Sequence, residues 1–319
     1  MVVVGGATRL TESGLSITEW QPIVGTIPPL SDADWASAFA KYQATPEYRD
    51  VNHGMTVAEF KGIFWWEYFH RLLGRLIGVA FLVPFAVYLV RGRIPAGYGW
   101  LFAGIFALGA AQGALGWYMV QSGLVDDPRV SQFRLTAHLG LAFLIFAAMF
   151  RVALALLFPA RPAPLLRAAR SLQFWARAFV YFVFAQALSG GLVAGIRAGF
   201  AYNTFPLMNG SLVPPEILAM VPVWKNFFYN MATVQFDHRA LATVVAAAGI
   251  VLWWKVAGSG SVPQRAHGAA HLMLAALVLQ WTLGILTLVL VVPVPLAAFH
   301  QAGALLLFAA ALNLDHAVR

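Results

Sequence analysis

Four histidines stand out in a sequence that has few other residues able to do chemistry. His70, His138, His238 and His300 each lie near the outer end of a predicted membrane-spanning helix. Two neutral imidazoles on opposite faces of a porphyrin form the ligand set of a b-type haem. One such histidine often only bonds to a neighbour or to water, but four at matching positions favour two haem sites. Zinc fits less well, because carboxylates and thiolates do not complete a tetrahedral set in the second half.

The two histidine pairs differ in the residue that lies three positions before their first histidine. Glu67 precedes His70 by three residues, and Gln235 precedes His238 by the same spacing. Residues three apart on a helix share a face, so Glu67 is expected to point towards whatever His70 holds. Gln235 cannot ionise, which predicts chemistry in the first half and a fixed cofactor in the second. The alternative is that Glu67 only caps or solvates the start of a helix.

The two histidine pairs belong to an internal repeat. Segment 67–73 resembles segment 235–241, and a Gln-x-x-Leu-Gly motif starts 42 residues after the histidine of each, at Gln112 and at Gln280. Upstream, Gly5-Gly6 recurs as Gly190-Gly191, 185 positions later. Because Gly190 closes a predicted helix, Gly5 is expected to close one as well, with the beginning of that helix missing from this chain. Repeats of four helices share one orientation and are related by an axis along the membrane normal.

The composition identifies the surroundings of these residues as a membrane. Of 319 residues, 60% are hydrophobic and only 11% are charged, with a mean hydropathy of +0.72. A soluble domain is about 45–50% apolar and about 25% charged, so a soluble, disordered or coiled-coil protein is excluded. The net charge of +8 is explained by the membrane and does not indicate nucleic acid. The chain has no cysteine, which excludes disulfides, thiolate metal sites, Fe–S clusters and cysteine nucleophiles.

The pattern predicts an all-α polytopic membrane protein of two four-helix-bundle halves related by a pseudo-two-fold repeat. A helix needs about 20 apolar residues to cross a bilayer. With a truncated first helix the total is eight. The N-terminal half is predicted at 1–158 with a large outer loop at 9–66, the inner linker at 159–173 and the C-terminal half at 174–316. The outer loop is expected to contain a short helix at 31–42, opened by a Ser-Asp cap. The seven complete spans are 70–90, 98–121, 136–158, 174–195, 237–256, 268–292 and 296–314.

The charges of the loops predict the orientation. The loops and helix ends assigned to the inner side contain ten basic residues and a single acid, Asp315. Basic loops stay in the cytoplasm, so the outer loop and all four histidines are expected near the outer face. For a bacterial inner membrane that face is the periplasmic one.

The motifs together resemble those of haem A synthase. The resemblance rests on Glu67-x-x-His70-Arg71, on His238-Arg239, on the second histidine of each half and on an N-terminal motif, and it covers essentially the whole chain. That motif reads Gly-Gly-x-Thr-Arg-Leu-Thr-x-Ser-Gly-Leu-Ser. Because the chain lacks cysteine, it is most similar to the cysteine-free alphaproteobacterial and mitochondrial type. Other members carry a cysteine pair in the first outer loop, and thiol chemistry proposed from those members does not apply here.

The resemblance implies an oxidoreductase that converts the C8 methyl of haem O to a formyl group by successive hydroxylations, making haem A for cytochrome c oxidase. It implies that His238 and His300 ligate a resident haem b and that His70 and His138 hold the substrate haem. Glu67 is then the essential acidic residue, for proton handling or for stabilising a cationic intermediate. The implied partners are haem O, a haem O synthase (protohaem farnesyltransferase), an electron donor, the lipid bilayer and a second copy of the chain in a homo-oligomer.

Two other functions remain open at this stage. A bis-His dihaem membrane cytochrome b that only carries electrons would have equivalent halves, which the difference between Glu67 and Gln235 disfavours. A transporter of haem or another solute would hold no stable haem.

Overall fold

All long elements in the described part of the chain are helices. The structure, a computed structural model, describes residues 1–21, 23–124, 130–159 and 167–319, without the side chains of Ser122, Arg167 and Ala168. The chain divides into two compact units, Met1–Leu141 and Ala142–Arg319. Seven helices in the described residues are long and apolar enough to cross a membrane. The predicted class, an all-α multi-pass membrane protein, is therefore confirmed.

The first unit is organised around one long helix. Its elements are α1 (Val2–Leu10), α2 (Asp32–Gln43), α3 (Pro46–Asp50), α4 (Val57–Val90), α5 (Tyr98–Gly123) and the beginning of α6 (Gln132–Leu157). Helix α4 contacts α1, α2 and α5. The short helix predicted at 31–42 is confirmed as α2. Ser31 and Asp34 form the capping box that opens it, each side chain accepting a hydrogen bond from the other residue's backbone N–H, which satisfies two otherwise unpaired donors.

Helix α4 begins well before the predicted span. It starts at Val57, where the Thr56 side chain caps it, and its first turns lie against α2. Six buried aromatic residues form this contact, here called the outer aromatic cluster: Trp35, Phe39, Tyr42, Phe60, Phe64 and Tyr68. The spacing of four between Phe60, Phe64 and Tyr68 places them on one helix face. His70 therefore lies 13 residues inside α4 and not near its end, and Glu67, ten residues inside, does not cap a helix start.

The second unit contains a four-helix bundle. After the end of α6 come α7 (Arg167–Gly195), α8 (Asn226–Tyr229), α9 (Met231–Ala257), α10 (Gln264–Val289) and α11 (Val294–Ala317). The four long helices that follow α6 contact each other in a closed ring, α7 with α9, α9 with α10, α10 with α11 and α11 with α7. The spans predicted in this half are confirmed. Of the predicted linker 159–173, residues 160–166 lie outside the described part of the chain, and the remainder from Arg167 is helical.

One buried carboxylate connects three helices of the second unit. Asp315 on α11 is 1% exposed. Its Oδ2 lies 3.0 Å from Arg151 of α6 and 3.3 Å from Arg319, and its Oδ1 lies 3.6 Å from Arg177 of α7. A buried charge requires partners of opposite sign, which these arginines supply. Asp315 is the acid that the sequence assigned to the inner side.

Candidate functional site

Each unit brings two of the predicted histidines together. His70 on α4 and His138 on α6 are close enough to interact electrostatically in the first unit. His238 on α9 and His300 on α11 do the same in the second unit. In the second unit they come from opposite helices of the ring, which face each other across the bundle. These are the same two pairs that the sequence proposed as haem ligands, and that role stays a prediction.

Every one of these histidine rings packs against a glycine of a neighbouring helix. A Cβ added to Gly5 would lie 3.1 Å from Cε1 of His70, and one added to Gly190 would lie 3.3 Å from Cε1 of His238. The corresponding distances are 3.0 Å between Gly116 and His138, and 2.9 Å between Gly284 and His300. These distances are shorter than the ~3.5–4.0 Å of an ordinary carbon contact. Glycine therefore lets each imidazole approach the backbone of the next helix.

These glycines belong to the motifs of the internal repeat, where the sequence linked none of them to a histidine. Gly5 and Gly190 open the recurring Gly-Gly pairs, and Gly116 and Gly284 close the Gln-x-x-Leu-Gly motifs. The same kind of contact thus recurs in both units, between the same kinds of motif.

Polar side chains from neighbouring helices bind two of the histidines. The Gln112 amide donates to the backbone oxygen of His138 at 3.0 Å and lies 3.3 Å from its Nε2. The Gln186 amide donates to the backbone oxygen of His238 at 3.1 Å, and the Ser189 hydroxyl lies 2.7 Å from His238 Nδ1. The sequence did not identify Gln186 or Ser189, although Ser189 directly precedes the Gly190-Gly191 pair.

Glu67 lies in a saturated hydrogen-bond network. It is 3% exposed, and its Oε1 accepts from Nε of Arg71 at 3.0 Å and from the terminal Nη2 of the same guanidinium. Its Oε2 accepts from the Ser16 hydroxyl and from the Ile17 backbone N–H, both at 2.7 Å. Arg71 also donates to the Ile17 and Glu19 carbonyl oxygens. The carboxylate and Arg71 together hold the segment that follows α1 against α4.

The second unit makes the corresponding contact with donor and acceptor exchanged. The Gln235 side-chain amide donates to the Tyr202 carbonyl oxygen at 3.1 Å. Tyr202 follows Gly190 by the same twelve residues that separate Ile17 from Gly5. Arg239, the counterpart of Arg71, donates to the Pro206 carbonyl oxygen at 2.7 Å. A neutral amide therefore does in one unit what an ion pair does in the other.

A second buried carboxyl of the first unit lies on α3, and no sequence motif pointed to it. Glu47 on α3 is 5% exposed. Burial, with a contribution from the nearby charge of Glu67, raises the pKa of Glu47 to about 8. Tyr42, whose hydroxyl accepts from Asn52 at 2.7 Å, also hydrogen-bonds Glu47. Burial likewise raises the pKa of Tyr42. Because its own pKa is raised to about 8, the protonated form of Glu47 is favoured at neutral pH.

The histidine sites fit a haem better than a metal ion held by protein alone. Within the described residues, no three or more His, Asp or Glu side chains form a group able to hold a metal ion. Paired imidazoles seated on glycines in an apolar bundle are the donor set of a bis-His haem.

Comparisons with known proteins cover nearly the whole chain. Residues 1–312 match the COX15-CtaA family, described as cytochrome oxidase assembly protein. A protein of Nitrosospira multiformis named heme A synthase is 58% identical over 100% of this chain and 89% of its own length. The protein of that name from Nitrosomonas eutropha is 55% identical over 98% of this chain and 88% of its own length. The one from Rhodospirillum centenum is 51% identical, over 96% and 81% respectively.

Proposed function

The chain belongs to the COX15-CtaA family of cytochrome oxidase assembly proteins, and on that premise we propose that it is a haem A synthase. It is then a multi-pass membrane oxidoreductase that converts the C8 methyl of haem O to a formyl group. The observation that carries this proposal is the end-to-end similarity to proteins named heme A synthase. The two histidine pairs supply a matching site in each unit.

We assign the second unit to the resident cofactor and the first to the substrate. His238 and His300 would hold haem b, which supplies one-electron transfer when bound. His70 and His138 would hold haem O, with Glu67 beside it. Only the first pair has an ionisable residue at the position that Gln235 occupies in the second unit, and this difference supports the assignment.

The proposed reaction balances with water as the source of oxygen. If His70 and His138 both held the iron of haem O, no position on that iron would be left for dioxygen. Each hydroxylation then breaks one C–H bond of the methyl carbon, forms one C–O bond to water, and releases two protons and two electrons. The second hydroxylation gives a gem-diol, which loses water to leave the formyl group. With water as the oxygen source, the electrons pass to a one-electron redox partner that acts as an acceptor. With dioxygen as the source, the reaction would instead need the electron donor that the resemblance implies.

The contacts of Glu67 favour one of its two expected roles. Both carboxylate oxygens already accept hydrogen bonds, from Ser16 and Ile17 on one side and from Arg71 on the other. A carboxylate held in place by four hydrogen bonds suits the stabilisation of positive charge at the oxidised carbon better than it suits repeated proton transfer, which needs a free oxygen. We therefore propose an electrostatic role for Glu67, with Arg71 fixing its position.

We further propose the bacterial inner membrane as the location, with both haem sites towards the periplasm. The predicted excess of basic residues on the inner side supports this orientation. Haem O would come from a haem O synthase, and the product would pass to cytochrome c oxidase assembly.

The test is co-expression of this protein with a haem O synthase, followed by extraction and chromatography of the haems. Conversion of haem O to hydroxylated and formyl haem is expected. Glu67→Gln should keep the low-spin haem b spectrum and stop conversion, whereas Gln235→Glu serves as the matched change in the second unit. His238→Ala should abolish haem b binding.

Each outcome distinguishes between the candidate functions. A stable low-spin spectrum without any hydroxylated or formyl haem would indicate a cytochrome b that only carries electrons. Absence of any tightly held haem would favour a transporter. Haem b binding that survives in His238→Ala would contradict the assignment of the second unit. Label from ¹⁸O-water in the hydroxylated haem would support the water balance, and label from ¹⁸O₂ would refute it.

A further inference from the structure

We infer that Ser189 is a positioning residue that fixes His238 as a permanent haem ligand, and that Val4 leaves His70 without this fixation so that substrate haem can exchange. This inference rests on the proposed function, because it explains how two similar sites can retain one haem and release the other.

The geometry of Ser189 fits this role. Its hydroxyl donates to the Gln186 carbonyl oxygen at 2.9 Å, one turn earlier in α7, and lies 2.7 Å from His238 Nδ1. Ser189 also directly precedes Gly190, on which the His238 ring packs. The ring is thus held by a glycine contact at Cε1 and by a short hydrogen bond at the adjacent nitrogen.

The hydrogen bonds of Ser189 determine which nitrogen is free for iron. A hydroxyl has one hydrogen, and here the Gln186 carbonyl accepts it. The hydroxyl oxygen must then accept, so His238 Nδ1 carries the proton and Nε2 keeps its lone pair. The Gln186 amide nitrogen lies 3.1 and 3.3 Å from the two ring nitrogens, and its donation to the His238 carbonyl oxygen does not depend on the tautomer.

The first unit has a different residue at this position. Val4 precedes Gly5 as Ser189 precedes Gly190, and Gly5 seats the His70 ring as Gly190 seats that of His238. The Val4 side chain has neither a donor nor an acceptor. The hydroxyl one turn later, on Thr8, donates instead to the Val4 carbonyl oxygen at 2.9 Å. The contact between glycine and imidazole is thus alike in the two units, and only the residue before the glycine differs, Val4 in the first and Ser189 in the second.

This difference bears directly on haem retention. A ligating histidine that donates its second ring N–H is fixed in tautomer and orientation and is a stronger base. Loss of such a partner lowers metal affinity about 10–100-fold. An enzyme must retain its cofactor and release its product. His238, which Ser189 holds in place, meets the first requirement, and His70, which has no such partner in Val4, meets the second.

The experiment uses the full-length haem-loaded protein in detergent, with Ser189→Ala, Ser189→Thr and Ser171→Ala. We measure the midpoint potential of haem b and the rate of haem transfer to excess apomyoglobin. Ser189→Ala should release haem b about 10–100-fold faster and shift its potential to more positive values, because a weaker base stabilises ferric iron less. Ser189→Thr, which keeps the hydroxyl, should behave like the parent protein. Ser171, an exposed residue of the same helix, is the matched control.

A reciprocal variant tests the first unit. Val4→Thr is nearly isosteric and should slow the release of haem from the first unit, with haem b unaffected. Unchanged release and potential in Ser189→Ala would overturn the inference, as would an equal change in Ser171→Ala. If haem b is retained as described but no haem O is converted, the proposed function fails while the role of Ser189 stands. A parent protein without low-spin haem would overturn both.

Discussion

Gly284→Ala tests whether the histidine rings depend on their glycine contacts. The added Cβ would lie 2.9 Å from Cε1 of His300. Gly268 is in the same helix, and a Cβ there meets nothing within 4 Å. Gly268→Ala is therefore the matched control, since it makes the same chemical change where space is available.

The expected loss of stability and of haem affinity in Gly284→Ala follows from these distances. An ordinary carbon contact is ~3.5–4.0 Å, so the His300 ring must move by at least about 0.5 Å. Ligand distances in metal sites hold to about ±0.2 Å, so a shift of this size strains the bond to iron. Overpacking costs about 1–3 kcal/mol and the helix preference of alanine over glycine offsets about 0.5–1 kcal/mol. We expect a net loss of about 1 kcal/mol in stability and at least tenfold weaker haem b binding, as misplacement by about 1 Å can cost 10²-fold.

The assay is a haem titration followed by the low-spin absorption bands, together with thermal unfolding in detergent. Gly268→Ala should bind haem normally and unfold at a slightly higher temperature. Equal haem binding by the two variants would refute the reasoning. The loss of haem binding should also be graded among the alanine variants of the four glycines that contact histidine rings. Gly190→Ala should have the smallest effect, because its Cβ would lie 3.3 Å from the ring of His238.

Three further changes test other parts of the structure. The pKa of Glu47 is raised to about 8 in the folded protein, so its contribution to stability is complete below the pKa of the unfolded chain and is lost as pH rises to about 8. Glu47→Gln should therefore flatten the decrease in melting temperature between about pH 5 and 8. An unchanged pH profile would contradict the burial argument. Asp315→Asn removes the charge shared by three arginines that are themselves partly exposed, so unfolding in detergent should be easier by about 1–3 kcal/mol; an unchanged melting temperature would show that the cluster does not stabilise the bundle. Phe60→Ala in the outer aromatic cluster should cost about 3–5 kcal/mol locally, seen as faster proteolysis in 31–56, whereas the exposed Val90→Ala should leave the digestion pattern unchanged.

Hydropathy was sufficient to predict the number and order of the seven spans, and spacing related the histidines of one half to those of the other. A bilayer requires a fixed length of apolar helix, and a repeat places equivalent residues at equivalent depths. The start of α4 was not predictable in this way, because residues 57–69 are helical through packing against α2. A hydropathy window does not detect such a contact between separate segments of the chain.

The immediate partners of the site residues were also hidden in the sequence. Ser189 and His238 are 49 positions apart, and nothing in their spacing shows that α7 brings them to 2.7 Å. Glu67 was expected to face His70 from its position three residues earlier. Its contacts with Ser16 and Ile17 arise because the segment after α1 folds back onto α4. Local periodicity gives the face of a helix, but not what covers that face.

Helix α4 is continuous, so a movement of its first turns is transmitted to His70. Val57 and His70 belong to one helix without an interruption between them, and the 13 residues that separate them span about 20 Å at 1.5 Å per residue. A tilt of about 3° around His70 would move the outer tip by about 1 Å. Conversely, a molecule that pushes on the outer aromatic cluster would rotate the imidazole of His70. The aromatic contact between α2 and α4 and the histidine pair of the first unit are therefore mechanically connected.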